Sequence, residues 1–210
     1  MQYYSIILAA GKSLRFSSEK MLYKIDDNSV IYQSVKLFYN DIDCKKIIVV
    51  VREDLKKEIQ NELKSFNDKI EYVLGGQTRH DSFINGLIYC KKSEYVLIHD
   101  GARPFLKQEL INRIKKEFEF NSNLDAVIPI LDIYDSLIDI SNISYLNREN
   151  IKIIQTPQAF KTKILFTIKS DNNITYNDEF SWVKDYYSNF KYKFIYGEQE
   201  NIKLTTPHKK

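Results

Sequence analysis

Ser5-Ile-Ile-Leu-Ala-Ala-Gly-Lys-Ser-Leu-Arg15, with Lys20 following, is the stretch that decides the fold. A hydrophobic strand runs straight into a turn of small residues, and cations follow within one loop. A parallel α/β sheet presents backbone N–H groups and positive charge to a phosphate chain in this way. Ala9 and Ala10 leave room for a flat base or sugar against the backbone, and Gly11 permits the turn. Gly11-Lys12-Ser13 is not a P-loop, because Ile6 stands where that motif needs its first glycine. The spacing also fails the GxGxxG dinucleotide fingerprint, which disfavours a dinucleotide-binding oxidoreductase.

Outward from this point the same rhythm repeats. Tyr3–Ala9, Lys46–Val51, Ile70–Leu74, Tyr95–His99 and Leu124–Ile130 read as strands, mostly continuous apolar runs as in a sheet covered on both faces. Between them, Ile31, Ser34, Val35 and Phe38 share one helical stripe. So do Phe83, Ile84, Leu87 and Ile88, and Leu110, Ile111, Ile114 and Phe118. Alternation of strand and helix predicts right-handed βαβ units in a doubly wound α/β layer fold. Helical patterns recur at Lys161–Lys169 and Asp178–Tyr187, and strands at Tyr192–Tyr196 and Asn201–Leu204. We expect one domain over residues 1–210. Within it, residues 132–150 break the rhythm. Asp132–Arg148 is polar and β-prone, with Ile133, Tyr134, Leu137, Ile138, Ile140, Ile143 and Tyr145 interleaved. This predicts a projecting arm whose apolar residues are covered by a second copy of the chain.

Composition excludes several classes. At 43% hydrophobic residues the chain is not disordered, and 31 cations against 28 anions give no reason to expect a nucleic-acid partner. Cys44 and Cys90 lack metal-ligand spacing and read as free thiols. Ser5–Ala10 is too short for a signal peptide or a membrane span, so the expected address is the cytoplasm.

Two distant motifs speak the same language as the first. Gly75-Gly76-Gln77-Thr78-Arg79-His80-Asp81-Ser82 follows a strand and opens a helix. Its glycines suit close approach to a ligand, Thr78 or Asp81 caps the helix, Asp81 is a candidate partner for Arg79, and Ser82 is a candidate contact to a base. His80 is expected to be exposed and not catalytic. His99-Asp100-Gly101-Ala102-Arg103-Pro104 ends the fourth strand, where open α/β sheets bind ligands. Asp100 there either orients a divalent metal, accepts from a substrate hydroxyl, or pairs with Arg103 to shape the turn. Gln155-Thr156-Pro157-Gln158-Ala159-Phe160 ends another strand and brings a hydroxyl to the same edge. Lys203 is either a phosphate-binding point charge or a surface lysine.

In this order, these motifs resemble the 2-C-methyl-D-erythritol 4-phosphate cytidylyltransferase family over roughly Ser5 to Pro207. The relatives that make CDP-ribitol typically carry His-Asp-Ala-Val-Arg-Pro in the middle, so His99–Pro104 favours the methylerythritol branch over a ribitol 5-phosphate or other polyol phosphate acceptor. The resemblance implies a Rossmann-like nucleotidyltransferase fold, a homodimer joined by the arm, a Mg²⁺ requirement, and transfer of a cytidylyl group from CTP with release of pyrophosphate. It implies Arg15, Lys20 and Lys203 as the catalytic cations. Ala9, Ala10, Gly11, Gly76, Gln77, Ser82 and Asp100 would bind CTP. Asp100, Arg103, Ser136, Thr156, Asn177 and the partner copy's Arg148 would bind the acceptor, with Asp100 also serving the metal. Such a reaction asks for positioning and charge neutralisation, and an anionic phosphate nucleophile needs no general base. The chain departs from the family pattern at Glu19-Lys20-Met21, where the family usually has Pro-Lys-Gln and a loop longer by about two residues, with Lys24 the substitute for Lys20. It departs again at Asn177-Asp178-Glu179, where an amide replaces a hydroxyl, and it stops at Lys210 without the usual last helix. A nucleotide-binding protein without turnover is the reading of a different class that these departures allow.

Overall fold

The computed structural model describes residues 1–12, 16, 19–168 and 176–206. Strand β1 (Tyr3–Leu8) lies between β2 (Cys44–Val51) and β4 (Tyr95–Asp100), and β3 (Ile70–Leu74) pairs outside β2, all four parallel. Helices α1 (Val30–Asn40), α2 (Lys56–Glu62), α3 (Arg79–Leu87) and α4 (Gln108–Phe120) separate successive strands of the chain. Beyond β4 the sheet becomes mixed. Strand β5 (Ala126–Asp132) runs parallel to β4 but is separated from it by β9 (Gln158–Lys161), which is antiparallel to both. Strand β8 (Lys152–Ile154) pairs antiparallel with the far end of β5, and β10 (Tyr192–Tyr196) pairs parallel along its other edge, completing eight strands.

Period-two alternation sorts the strand side chains onto two faces. Tyr3, Ile7, Ile47, Val49, Val51, Leu97 and Val127 pack under α1, α2 and α4. Ile6, Leu8, Ile48, Val50, Val96, Ile98 and Ile128 pack under α3, α5 (Thr162–Thr167) and α6 (Glu179–Tyr186). Near-continuous apolar strands are what two covered faces require, so the α/β reading holds. Helix α2 was not expected, although Leu55, Ile59 and Leu63 recur every fourth residue and are all buried. Residues 201–204, expected as a strand, are irregular and are tied instead by the Leu204 N–H to the Ala102 carbonyl at 2.9 Å. The segment Gln155–Phe160, expected as one strand end, spans a break. Gln155-Thr156-Pro157 interrupts the ladder between β8 and β9, with a cis Thr156–Pro157 peptide.

Within residues 132–150 the chain leaves the sheet as a hairpin, β6 (Leu137–Asp139) against β7 (Ser144–Leu146). Ile140, Ile143 and Tyr145 are 86%, 79% and 78% exposed. Cys44 and Cys90 are buried free thiols. Among the described residues, no helix is long and apolar enough to cross a membrane.

Candidate active site

The order β3-β2-β1-β4 places the switch in winding direction beside β1, and open sheets bind ligands in the crevice at the carboxyl ends of such strands. A cleft of about 620 Å³ lies there, lined by Ala10, Lys12, Glu19, Arg52, Glu53, Asp54 and Gly75–Gln77. Its walls owe their shape to close packing. A Cβ on Gly75 would stand 2.4 Å from the Ala10 Cβ, and one on Gly76 would stand 2.2 Å from the Asp81 Cβ. These glycines are therefore required by the protein's own contacts. Gly11, by contrast, is not at positive φ, and a Cβ there would meet nothing within 4 Å, so its turn does not depend on glycine.

Helix α3 begins with a capping box. Thr78 Oγ1 accepts from the Asp81 N–H at 3.0 Å, and Asp81 Oδ2 accepts from the Thr78 N–H at 2.9 Å. Asp81 is thus a cap and not the partner of Arg79. Ser82 Oγ accepts from the Gly76 N–H at 3.1 Å and donates to the Thr78 carbonyl at 2.9 Å, so it shapes the glycine turn from behind. Ala9 is 1% exposed and sits in the core, leaving Ala10 on the cleft. His80, expected to be exposed, is buried against Phe83, Tyr176 and Trp182.

At the carboxyl end of β4, Asp100 is the hub of an ion-pair cluster. Its Oδ1 faces the Arg79 guanidinium at 3.2 Å, and its Oδ2 faces Lys203 Nζ at 3.0 Å and Arg103 Nε at 3.4 Å. Arg79 also grips Glu179 with two bonds of 2.6 and 3.2 Å. Burial works to raise the Asp100 pKa, yet Arg79, Lys203 and Arg103 together hold its carboxyl well below the usual carboxylate range. Burial pushes Glu179 up, with Arg79 opposing. Three cations face two carboxylates, which leaves the cluster a surplus of one positive charge. Lys203 is the open member, with its side chain 43% exposed.

A polar seam carries Lys203 to that position. Arg103 Nη1 donates to the Asn201 carbonyl at 2.7 Å, Asn201 Nδ2 donates to the Thr156 carbonyl at 2.7 Å, and Gln155 Nε2 donates to the Glu198 carbonyl at 2.8 Å. Thr156 Oγ1 accepts from the Asp100 N–H at 3.0 Å and lies 3.0 Å from His99 Nδ1, while His99 Nε2 lies 3.0 Å from the Arg103 carbonyl. A carbonyl only accepts, so Nε2 carries the proton, and Nδ1 then accepts from the Thr156 hydroxyl. That hydroxyl, expected to face substrate, is spent inside the protein, with Thr156 4% exposed. Arg103 is likewise buried and works as a buttress.

The remaining expected site residues are dispersed. Lys20 opens a turn, Lys20–Leu22, beside the cleft. Asn177 is exposed just before α6. Ser136 and Arg148 are exposed on the arm, with Arg148 donating to the Tyr134 carbonyl. Arg15 lies outside the described residues. Glu179, Asn201 and Gln155 belong to the motifs read from the sequence, but no role was expected of them. Glu179 opens a helix behind Asp178, where an acid reads simply as a favourable first-turn charge. Arg52 carried a usable signal, a charge directly after the five-residue apolar run that ends β2.

A divalent metal finds no cage here. Both Asp100 oxygens are committed to cations, and among the described residues no three His, Cys, Asp or Glu side chains converge. The described residues therefore form no all-protein cage; Mg²⁺ ordinarily takes one or two carboxylates together with substrate phosphates, and in that setting Asp100 would be the carboxylate that serves it.

The sequence model of the 2-C-methyl-D-erythritol 4-phosphate cytidylyltransferase family matches residues 4–209. The protein of that name from Clostridium botulinum (strain Eklund 17B / Type B) is 38% identical over 222 residues, 97% of this chain and 93% of the relative. The one from Bacillus licheniformis is 32% identical over 214 residues, 99% and 92% of the two chains. The crystal structure of 4-diphosphocytidyl-2C-methyl-D-erythritol synthase from Anaerococcus prevotii DSM 20548 aligns with a TM-score of 0.83 at 30% identity, covering 98% of this chain and 91% of that one.

Proposed function

The chain belongs to the 2-C-methyl-D-erythritol 4-phosphate cytidylyltransferase family, and on that premise we propose how its residues divide the work. The reaction joins CTP and 2-C-methyl-D-erythritol 4-phosphate into 4-diphosphocytidyl-2-C-methyl-D-erythritol and pyrophosphate. A phosphate oxygen of the acceptor forms a new bond to the α-phosphorus as the bond to the β-phosphate bridge breaks. The electron pair leaves with pyrophosphate. The nucleophile is already anionic, so the protein's contribution is alignment and neutralisation of charge.

The cleft bounded by Ala10 and Gly75–Gln77 takes the cytidine, its shape supported from behind by Ser82 and Asp81. Lys20 and Arg15 serve the triphosphate. Lys203 faces the reacting phosphates, aimed by Asp100, and that 3.0 Å pair on a partly open lysine is the observation that carries the assignment. Arg79, Glu179, Arg103 and Thr156 act as supports of Asp100. We place the reaction in the cytoplasm, in line with two buried free thiols.

The arm pairs two copies of the chain into a homodimer and carries Ser136 and Arg148 toward the partner's acceptor. Its exposed apolar residues support this, and so does Ile143. That residue holds φ at 56°, a costly conformation for a β-branched side chain, in a turn that leaves it exposed. The test of function is pyrophosphate release with CTP and each of two acceptors, methylerythritol 4-phosphate and ribitol 5-phosphate. Turnover with the first alone is expected. Turnover with ribitol 5-phosphate alone would move the protein to polyol-phosphate activation.

A further inference from the structure

The wall of the nucleotide cleft contains a charged device that none of these roles uses. Arg52, at the carboxyl end of β2, reaches back to Glu19 with Nη2 to Oε1 at 2.8 Å and Nη1 to Oε2 at 3.3 Å. The other edge of the same guanidinium grips Asp54, with Nε to Oδ1 at 2.9 Å and Nη2 to Oδ2 at 2.6 Å. Of five guanidinium N–H donors, four are thereby committed to carboxylates. Arg52 is therefore poorly suited to hold a phosphate itself, although it lines the cleft. Its side chain is 19% exposed and that of Glu19 38%.

Glu19 also opens the Lys20–Leu22 turn. Its carbonyl accepts from the Leu22 and Tyr23 N–H groups at 3.0 and 3.1 Å, and Met21, one residue beyond Lys20, is 3% exposed in the core. Lys20 is thus flanked by two anchors, a clamped carboxylate before it and a buried side chain after it.

We propose that Arg52 is a positioning residue for CTP: with Asp54 as its base, it clamps Glu19 and so fixes the turn that presents Lys20 to the triphosphate. The clamp bridges 33 positions of chain and belongs to the nucleotide side of the site. Its loss affects CTP and leaves the acceptor, bound on the Asp100 side, unaffected. This inference rests on the proposed assignment of Lys20 to the triphosphate.

The test measures CTP dissociation by calorimetry, and the KM of each substrate, in R52Q, E19Q, the double variant, K20Q and K20Q/R52Q, with melting temperatures as a control for folding. A partly exposed fork of charge-assisted bonds should be worth about threefold to tenfold in CTP affinity. R52Q and E19Q should each show that loss, the double variant should be no worse than either single one, and R52Q should add little to K20Q. Acceptor KM should stay unchanged. Additive effects of E19Q and R52Q, unchanged CTP affinity in both, or a parallel rise in acceptor KM would each overturn the clamp. If K20Q weakens CTP binding while R52Q does not, the clamp is wrong and Lys20 keeps its role. If K20Q binds CTP normally, both fall.

Discussion

The Asp100 centre and the arm are opposite solutions to placing a functional residue. At the centre, five charged side chains from four parts of the chain are held among buried partners, and one of them, Lys203, is left partly open. On the arm, Ser136 and Arg148 ride on a short two-stranded hairpin whose apolar side chains are largely uncovered. One region is held on all sides by its own fold, and the other is left largely uncovered. A two-stranded hairpin is marginal alone, so the proposed homodimer would give the arm a covering surface as well as a functional one.

The sharpest way to break this contrast is to remove the open lysine. K203A takes away an exposed side chain and leaves Asp100 two other cations, so the fold should survive. Turnover should fall by about a hundredfold to a thousandfold, in the range seen for deleting one charge-stabilising donor. The measurement is kcat for pyrophosphate release beside a thermal melt. Near-normal turnover would remove Lys203 from the chemistry.

Next is acid. Burial pushes the His99 pKa down to about 4 from an ordinary 6.5, so the folded protein resists a proton that the unfolded chain takes up. Stability is then fully present above about pH 6.5 and is lost as pH falls toward 4, by about 3 kcal/mol at the lower limit. Denaturant unfolding followed from pH 7 to pH 4 reads this directly, and H99Q should flatten the slope. An unchanged slope in H99Q would mean that the pH dependence arises elsewhere than at His99.

The smallest expected effect on the single chain comes from the arm. I140D places a charge on a residue that is 86% exposed and should shift the chain's own unfolding free energy by no more than about 0.5 kcal/mol. The same change should separate the proposed dimer in sedimentation. If it instead unfolds the chain, or leaves a dimer intact, the contrast between the two regions is lost.

Much of this was legible beforehand, because apolar runs and helical stripes report burial residue by residue. The strands from Tyr3 to Leu97, the helices at Val35, Phe83 and Ile114, and the placing of Asp100 at a strand's carboxyl end all follow from local pattern. What escaped was long-range pairing. Nothing near Arg79 announces Glu179, and the reversal that inserts β9 between β4 and β5 leaves no mark on the Ala159–Phe160 pattern. The hydroxyl of Thr156 was read as facing outward because a sequence does not say which side of a turn is inside.

The grip of Arg79 on Glu179 spans 100 positions, and that of Arg103 on Asn201 spans 98. At about 5–20 residues per second of synthesis, each of these arginines emerges on the order of 5–20 seconds before its partner. The cleft between Ala10 and Gln77 spans 67 positions, so its last lining residue is made well before Glu179 and Asn201. In the living cell the walls of the cleft are therefore expected to form first and the Asp100 centre only after the 201–204 segment has been made, so the order of translation is written into the geometry of the two regions.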